Sequence, residues 1–108
     1  FDRGGNDTYR CDGLGQGGAS MQALAVLIDL AGDDHYRGRG ASVQGQGGGN
    51  RYHYDADVVF SFSALLDLGG GSDVYSAPDR GNDKIMSTGV FREKDPANST
   101  LYGHVLDR

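Results

Sequence analysis

Aspartates recur beside glycines along this chain, and together these residue types supply the oxygen ligands that calcium takes. Each copy has an aspartate, a glycine-bearing turn and a second aspartate. Calcium binds about six to eight oxygens, from carboxylates, backbone carbonyls and water. One turn supplies only part of that set, so we expect two turns to lie side by side around each ion. The predicted metal ligands are Asp7, Asp34, Asp73 and Asp83, assisted by Asp29, Asp67 and Asp79.

A structural interpretation of the same turns stays open. Asp and Asn side chains accept hydrogen bonds from nearby backbone groups, and glycine adopts the positive φ angles that tight turns need. Both interpretations predict ordered turns, but only the first predicts bound cations. Asp73 and Asp83 lie ten residues apart, and their two turns are the pair that best fits an ion site.

An apolar residue followed by aspartate marks the start of each repeat. This frame stands at Asp2, Asp29, Asp67 and Asp107, with spacings of 27, 38 and 40 residues. Self-similarity at such intervals is typical of repeat proteins, in which each unit buries its apolar face against the next. We therefore treat residues 1–108 as one repeat module. Because the same frame opens and closes the sequence, we expect either a segment of a longer repeat array or a subunit whose copies self-assemble head to tail as a filament.

Strands are predicted between the turns. Apolar and polar side chains alternate over residues 56–66, which predicts a half-buried strand with an apolar face. Residues 21–28 also fit a helical pattern, but residues 25–30 align with residues 63–68, so a strand is predicted there too. Glycine-glutamine turns at residues 15–18 and 45–48 repeat between the strands. Shorter strands are expected at residues 8–11, 35–37, 73–76, 84–87 and 101–106.

This order of strand, aspartate turn, strand and glycine turn predicts an all-β fold, a parallel β-solenoid. Residues 4–9, 32–36 and 70–75 carry the turn sequences GGNDTY, GDDHY and GGSDVY. These turns resemble the Asp/Gly-rich repeats of bacterial surface and secreted proteins, and more remotely they are similar to the calcium-binding nonapeptide repeats of RTX proteins. The resemblance implies calcium in the turns and a location outside the cell or on its surface.

The net charge and the cysteine and glycine content limit the kinds of ligand and partner that the chain is expected to bind. The net charge of −5, with aspartates clustered in turns, argues against a nucleic-acid or anionic-membrane surface and favours cations. The single cysteine, Cys11, excludes an intrachain disulfide and a cysteine-based zinc site. No apolar run reaches the length of about 20 residues that spans a bilayer. With 19 glycines, the chain is expected to need a regular ladder, a bound ion or a neighbouring chain to stay ordered.

Nucleotide binding fits the sequence poorly. Gly13, Gly15 and Gly18 have the spacing of a dinucleotide-binding loop, but no buried apolar strand precedes them. The recurrence of the glycine-glutamine turn explains these glycines better.

Glycan recognition is the alternative to a calcium-stabilised structural role. A carboxylate pair, either Asp33 with Asp34 or Asp55 with Asp57, would suit a polysaccharide-cleaving β-helix. A tyrosine follows each of three inner aspartates and either stacks in the core or faces outward as a sugar-binding strip. These tyrosines are Tyr9, Tyr36 and Tyr75.

The sequence as a whole favours a structural or adhesive extracellular module stabilised by calcium in its Asp/Gly turns, and not an enzyme. A polysaccharide-binding or polysaccharide-cleaving module that uses the tyrosine strip and an aspartate pair remains the second hypothesis.

Overall fold

The computed structural model describes residues 1–20, 23–40, 42–47, 61–88 and 101–108, and these ranges contain seven β-strands. The strands are β1 (Thr8–Asp12), β2 (Leu24–Asp29), β3 (His35–Arg39), β4 (Ser61–Asp67), β5 (Val74–Tyr75), β6 (Ile85–Ser87) and β7 (Leu101–Asp107). Within the same ranges, no helix is long and apolar enough to cross a membrane.

The strands form two sheets. In the first sheet, β1, β3 and β5 lie side by side in that order and run parallel. The second sheet has the order β2-β4-β7-β6, in which β2, β4 and β7 run parallel and β6 pairs antiparallel with β7. From β1 to β6 the chain alternates between the two sheets, so each stretch of sequence between turns adds a strand to one of them.

The prediction of an all-β parallel β-solenoid is wrong. A solenoid requires strands that continue as one regular coil, whereas the described strands lie in two separate open sheets. The second sheet is also mixed, because β6 runs antiparallel to β7 at its edge. Without a continuous coil of equivalent rungs, the regular repeat array and the head-to-tail filament predicted from it have no structural basis.

The strand predictions themselves are confirmed where the structure describes them. β2 occupies the segment that also fitted a helix, and its pairing with β4 places Asp29 opposite Asp67. Asp67 pairs in turn with Asp107 on β7. The Asp2 N–H donates a hydrogen bond to the Ile28 carbonyl at 2.8 Å, so the four apolar-aspartate frames lie side by side. The parts of the predicted strands at residues 21–22 and 56–60 lie outside the described residues.

The alignment of the two glycine-glutamine turns is wrong by two residues. Gly15 forms a parallel bridge with Val43, so residues 15–18 match residues 43–46 rather than 45–48. Gln16 and Gln44 share a φ of 51°, and each donates from Nε2 to the backbone carbonyl of a tyrosine in the first sheet. This shared amide contact, rather than the run of glycines, defines the equivalent positions.

The core lies between the sheets and is built on a ladder of tyrosines. Tyr36 is fully buried and packs with Leu65 and Val105 of the second sheet. Tyr9 and Tyr75 stack on either side of it, with ring centroids 5.1 and 4.8 Å away and interplanar angles of 12° and 9°. Of the two orientations that the sequence left open, the inward, stacked one is therefore the one adopted.

Of the two faces of β4, the one opposite to the predicted apolar face is the more completely buried, although Ala64 on the predicted face is also only 3% exposed. Leu65 belongs to the core cluster, and the Ser63 hydroxyl is buried beside it, where it accepts the Ala19 N–H at 2.8 Å. Phe62 and Leu66, on the predicted apolar face, are only partly buried. Polar side chains occupy the inner face because the turns and tyrosines that they meet there carry hydrogen-bonding groups.

Two glycines allow the aspartate turns to stack backbone on backbone. Gly32 and Gly71 have φ angles of 147° and 136°, a region that residues with a side chain rarely adopt. A Cβ atom would lie 1.6 Å from the Gly5 carbonyl oxygen at position 32, and 1.9 Å from the Gly32 carbonyl oxygen at position 71. Both the angle and the space therefore require glycine.

Adjacent leucines on β4 test which face is buried. We expect Leu65→Ala to lower the free energy of unfolding by about 2–5 kcal/mol, because it opens a cavity beside the tyrosine ladder. Leu66→Ala, the same change on the opposite face, should cost about 1 kcal/mol. Urea denaturation of both variants measures the two losses. An equal or larger loss for Leu66→Ala would contradict the orientation of β4.

Candidate cation site

Three aspartates converge where the two sheets meet. Asp67 is the last residue of β4, while Asp34 and Asp73 stand directly before β3 and β5. Asp34 and Asp73 are neighbours because the first residues of β3 and β5, His35 and Val74, pair in parallel register. Asp67 reaches them from the other sheet, so the cluster draws its side chains from both layers of the fold.

The spacing of the three carboxylates matches that of ligands on one cation. One carboxylate oxygen from each of Asp34, Asp67 and Asp73 lies within 4.8 Å of the other two. Oxygens bound to the same calcium ion are at most about 5 Å apart, because each Ca–O distance is about 2.3–2.6 Å. Asp34 and Asp67 are 0% exposed and Asp73 is 8% exposed, so the cluster is shielded from bulk water.

Each of the three carboxylates uses one oxygen in a hydrogen bond and keeps one without a partner. The Asp7 N–H donates to Asp34 Oδ1 at 2.7 Å, and the Asp34 N–H donates to Asp73 Oδ1 at 2.7 Å. Asp67 Oδ2 accepts the Tyr36 hydroxyl at 2.8 Å. Asp34 Oδ2, Asp67 Oδ1 and Asp73 Oδ2 are buried with no hydrogen-bond partner. Buried polar atoms are nearly always paired, so these three oxygens are available to a cation or to water.

Burial and like charge raise the pKa values of the cluster. Burial raises the pKa of Asp34 to about 6, and the Asp29 and Asp67 charges add to the increase, while the Asp7 N–H opposes it. The pKa of Asp73 also rises to about 6, again mainly through burial. Burial raises the pKa of Asp67 as well, and the Asp107 and Asp29 charges add to the increase, while the Tyr36 hydroxyl and the Gly69 N–H oppose it. Near neutral pH the cluster therefore concentrates negative charge at a real energetic cost.

No basic side chain compensates that charge within the described ranges. The ion pair found there joins Arg80 to Asp79, at 2.5 Å. The Arg80 guanidinium is committed elsewhere, to the Gln44 carbonyl at 3.1 Å and the Gln46 side chain at 3.0 Å. A bound cation would supply the missing positive charge.

Tyrosine hydroxyls occupy the oxygens of the neighbouring aspartates. The Tyr9 hydroxyl donates to Asp29 Oδ2, and the Tyr75 hydroxyl donates to Asp107 Oδ2 at 2.5 Å. Each rung of the tyrosine ladder is thus matched by a carboxylate of the second sheet. Asp29 Oδ1 also accepts the Ala31 N–H at 3.1 Å, so both of its oxygens are engaged.

The structure brings together three of the seven predicted metal ligands and leaves four outside the cluster. Asp7 meets Asp34 through its backbone N–H rather than its carboxylate. Asp29 is buried but fully hydrogen-bonded, and Asp79 is paired with Arg80. Asp83 is exposed, and its N–H donates to Asp107 Oδ1 at 2.8 Å. Those four are therefore turn and ladder residues, in line with the structural interpretation of the motif.

The turn pair at Asp73 and Asp83 does form neighbouring turns, because the Asp73 N–H donates to Asn82 Oδ1 at 2.8 Å. Only Asp73 belongs to the cluster, however, and its partners come from the turns at Asp34 and Asp67. Asp107 was overlooked as part of the acidic interior, although it is 2% exposed and its charge raises the pKa values of Asp67 and Asp73. Its place in the apolar-aspartate frame was the signal available in the sequence.

The surface required by the glycan hypothesis is missing at the tyrosines. Tyr36 is completely buried and both neighbouring rings stack against it, so these residues form no outward strip. In the first carboxylate pair, Asp33 is exposed and Asp34 is buried in the cluster, so the two do not share one pocket. The second pair, Asp55 and Asp57, lies outside the described residues.

Comparison with known proteins returned no relative. No family model matches the chain, and neither a curated protein nor a solved structure matches it significantly. The resemblance to Asp/Gly-rich repeat proteins thus rests on the turn sequences alone.

The raised pKa values predict that the aspartate cluster stabilises the metal-free fold more at acid pH than at neutral pH. The folded state binds a proton at Asp34 more tightly than the unfolded state, because the folded pKa is about 6 against an ordinary value of 3.8. This contribution stabilises the fold fully below about pH 4 and is lost as pH rises through about 6. Asp34→Asn removes the titrating charge, so the variant should lose less stability than the wild type between pH 4 and pH 7.5 in thermal melts.

Asp33→Asn is the matched control for this experiment. Asp33 is the exposed neighbour of Asp34, and its Oδ1 accepts the Ser72 N–H at 2.9 Å, a contact that asparagine preserves. The control should follow the wild-type pH profile. A wild-type profile for Asp34→Asn would show that the Asp34 carboxylate is not buried as described.

Proposed function

We propose that this protein is a structural module of the cell exterior, whose two sheets are held together by a calcium ion bound to Asp34, Asp67 and Asp73. The observation that carries the proposal is the set of three buried carboxylate oxygens without hydrogen-bond partners, one on each of these residues. They belong to the three side chains whose ligand atoms lie within 4.8 Å of one another.

Calcium suits this cluster better than the other common divalent ions. All three side chains offer hard carboxylate oxygens, which excludes a preference for soft metals. Magnesium demands near-ideal octahedral geometry, whereas calcium accepts irregular sets of oxygens. The three aspartates provide part of the coordination shell, and backbone carbonyls or water would complete it.

The ion would act as a tie between the sheets. Asp67 ends a strand of the second sheet, and Asp34 and Asp73 precede strands of the first. A cation bound to all three would offset the repulsion among buried carboxylates and link two layers whose facing surfaces are partly polar. Because the ligands are assembled only in the folded chain, binding and folding would be coupled.

The limited ligand set also supports a location outside the cell. Three carboxylates are fewer than a high-affinity cytosolic buffer uses, and calcium modules of the cell exterior bind with dissociation constants of about 10⁻⁴–10⁻³ M. At such affinity the site would fill only where calcium is abundant. The structural role of the ion and the extracellular location therefore belong to one hypothesis.

Calcium addition should stabilise the wild type and reverse its ranking against a site variant. At pH 7.5, calcium at about 100 times the dissociation constant should add about 2.7 kcal/mol to the free energy of unfolding. Asp73→Asn should be at least as stable as the wild type in chelator, because a buried charge is removed, and should gain little from calcium. Thermal melts with and without calcium measure both effects.

Asp79→Asn serves as the control, because Asp79 is an exposed aspartate of the same motif paired with Arg80 outside the cluster. It should respond to calcium as the wild type does. An unchanged wild-type melting temperature on calcium addition would refute the cation proposal, and an equal response in Asp73→Asn would place the ion elsewhere.

A further inference from the structure

The outer face of the first sheet carries a groove lined by three arginines that form no ion pair within the described residues. Arg10, Arg37 and Arg39 are exposed there, on a face opposite to the tyrosine ladder. The groove is open and has a volume of about 890 Å³. Within the described residues, the ion pair joins Arg80 to Asp79, and the three groove arginines form no ion pair. Such a concentration of positive charge is unexpected in a chain of net charge −5.

The register of the sheet places like charges directly beside each other. Arg10 on β1 pairs with Arg37 on β3, and the two side chains project from strands about 4.8 Å apart. Like charges on neighbouring strands repel each other, and an anion lying over the two guanidinium groups would offset that repulsion. Asp12 pairs with Arg39 and is the acidic residue that lines the groove.

The groove also offers weaker polar groups beside the guanidinium groups. The His35 ring lies 3.5 Å from the Arg37 guanidinium, and Ser76 extends the lining toward β5. Arginine forks bind carboxylate or sulfate groups with two parallel hydrogen bonds, while imidazole and hydroxyl groups suit sugar hydroxyls. We propose that this groove, lined by Arg10, Arg37, Arg39 and His35, binds an acidic polysaccharide.

Two other polyanions fit less well. Single-stranded nucleic acids are held by stacking on exposed aromatic rings, and the aromatic residue that lines this groove, Tyr36, has its ring buried in the core. An acidic peptide would gain most by adding a strand at a sheet edge, whereas this groove lies on a sheet face whose backbone groups are already paired.

Binding of hexagalacturonate, measured by isothermal titration calorimetry at low ionic strength, tests the proposal. The wild type should bind it and should bind the fully methyl-esterified hexasaccharide at least about tenfold more weakly, because esterification removes the charge that the arginines recognise. Added salt should weaken binding. Equal binding of the neutral ester, or no binding of the acid, would overturn the assignment.

Variants locate the site. Arg10→Gln with Arg37→Gln should weaken binding of hexagalacturonate by about tenfold or more, since charge-assisted hydrogen bonds are lost at both positions. Arg3→Gln with Arg108→Gln removes the same charge from exposed positions outside the groove and should change affinity less than about twofold. Equal losses in the two double variants would overturn the location.

Two further measurements complete the test. Circular dichroism and melting temperature of the Arg10→Gln, Arg37→Gln variant should match or exceed those of the wild type, because a like-charge rung is relieved. A single-stranded 12-nucleotide DNA and a hexaglutamate peptide should bind more weakly than hexagalacturonate. Tighter binding of either one would assign the groove to that class of partner and reject the polysaccharide.

Discussion

The fold depends on keeping aspartate carboxylates buried between two sheets. Asp29, Asp67 and Asp107 form a row along the second sheet, and each accepts a hydroxyl from the tyrosine ladder of the first. A buried carboxylate is costly unless hydrogen bonds or an opposite charge compensate it. The hydroxyls compensate part of this cost, and the row thereby fixes the distance and register of the two layers. In the cluster of Asp34, Asp67 and Asp73, one carboxylate oxygen of each residue has neither a hydroxyl nor a backbone N–H as a hydrogen-bond donor.

Two features of the molecule thus share one origin. The stacked tyrosines and the carboxylate row occur because parallel pairing places residues of the same type on neighbouring strands side by side. The same pairing brings Arg10 beside Arg37 on the outer face. Parallel register therefore places side chains of the same type next to each other, whether they attract or repel. Stacked rings attract each other, whereas stacked like charges repel each other.

The strands and the alignment of the apolar-aspartate frames were predictable, because strands leave a period of two and aligned frames leave recurring residues at Asp29 and Asp67. The architecture was not predictable, because a local sequence pattern carries no information on whether strands continue as one coil or divide between two sheets. The inner face of β4 was also misjudged, because Ser63 is polar and only its contact with the Ala19 N–H shows why it is buried. Within the site, Asp34, Asp67 and Asp73 are indistinguishable in sequence from Asp79 and Asp83, and only burial separates them.

Hydrogen bonds run in both directions between neighbouring aspartate turns, and they limit which changes of chain length the fold can accept. The Asp7 N–H donates forward to the Asp34 side chain, while the Asp33 N–H donates back to the Asn6 side chain at 3.1 Å. Sliding the first turn past the second by a single residue breaks both bonds at once and turns Tyr9 away from the Asp29 carboxylate. A change that shifts these hydrogen-bonded residues out of register is thus incompatible with the ladder. Additional residues elsewhere between one apolar-aspartate frame and the next leave the ladder intact. Frames spaced 27, 38 and 40 residues apart in the sequence therefore still lie side by side.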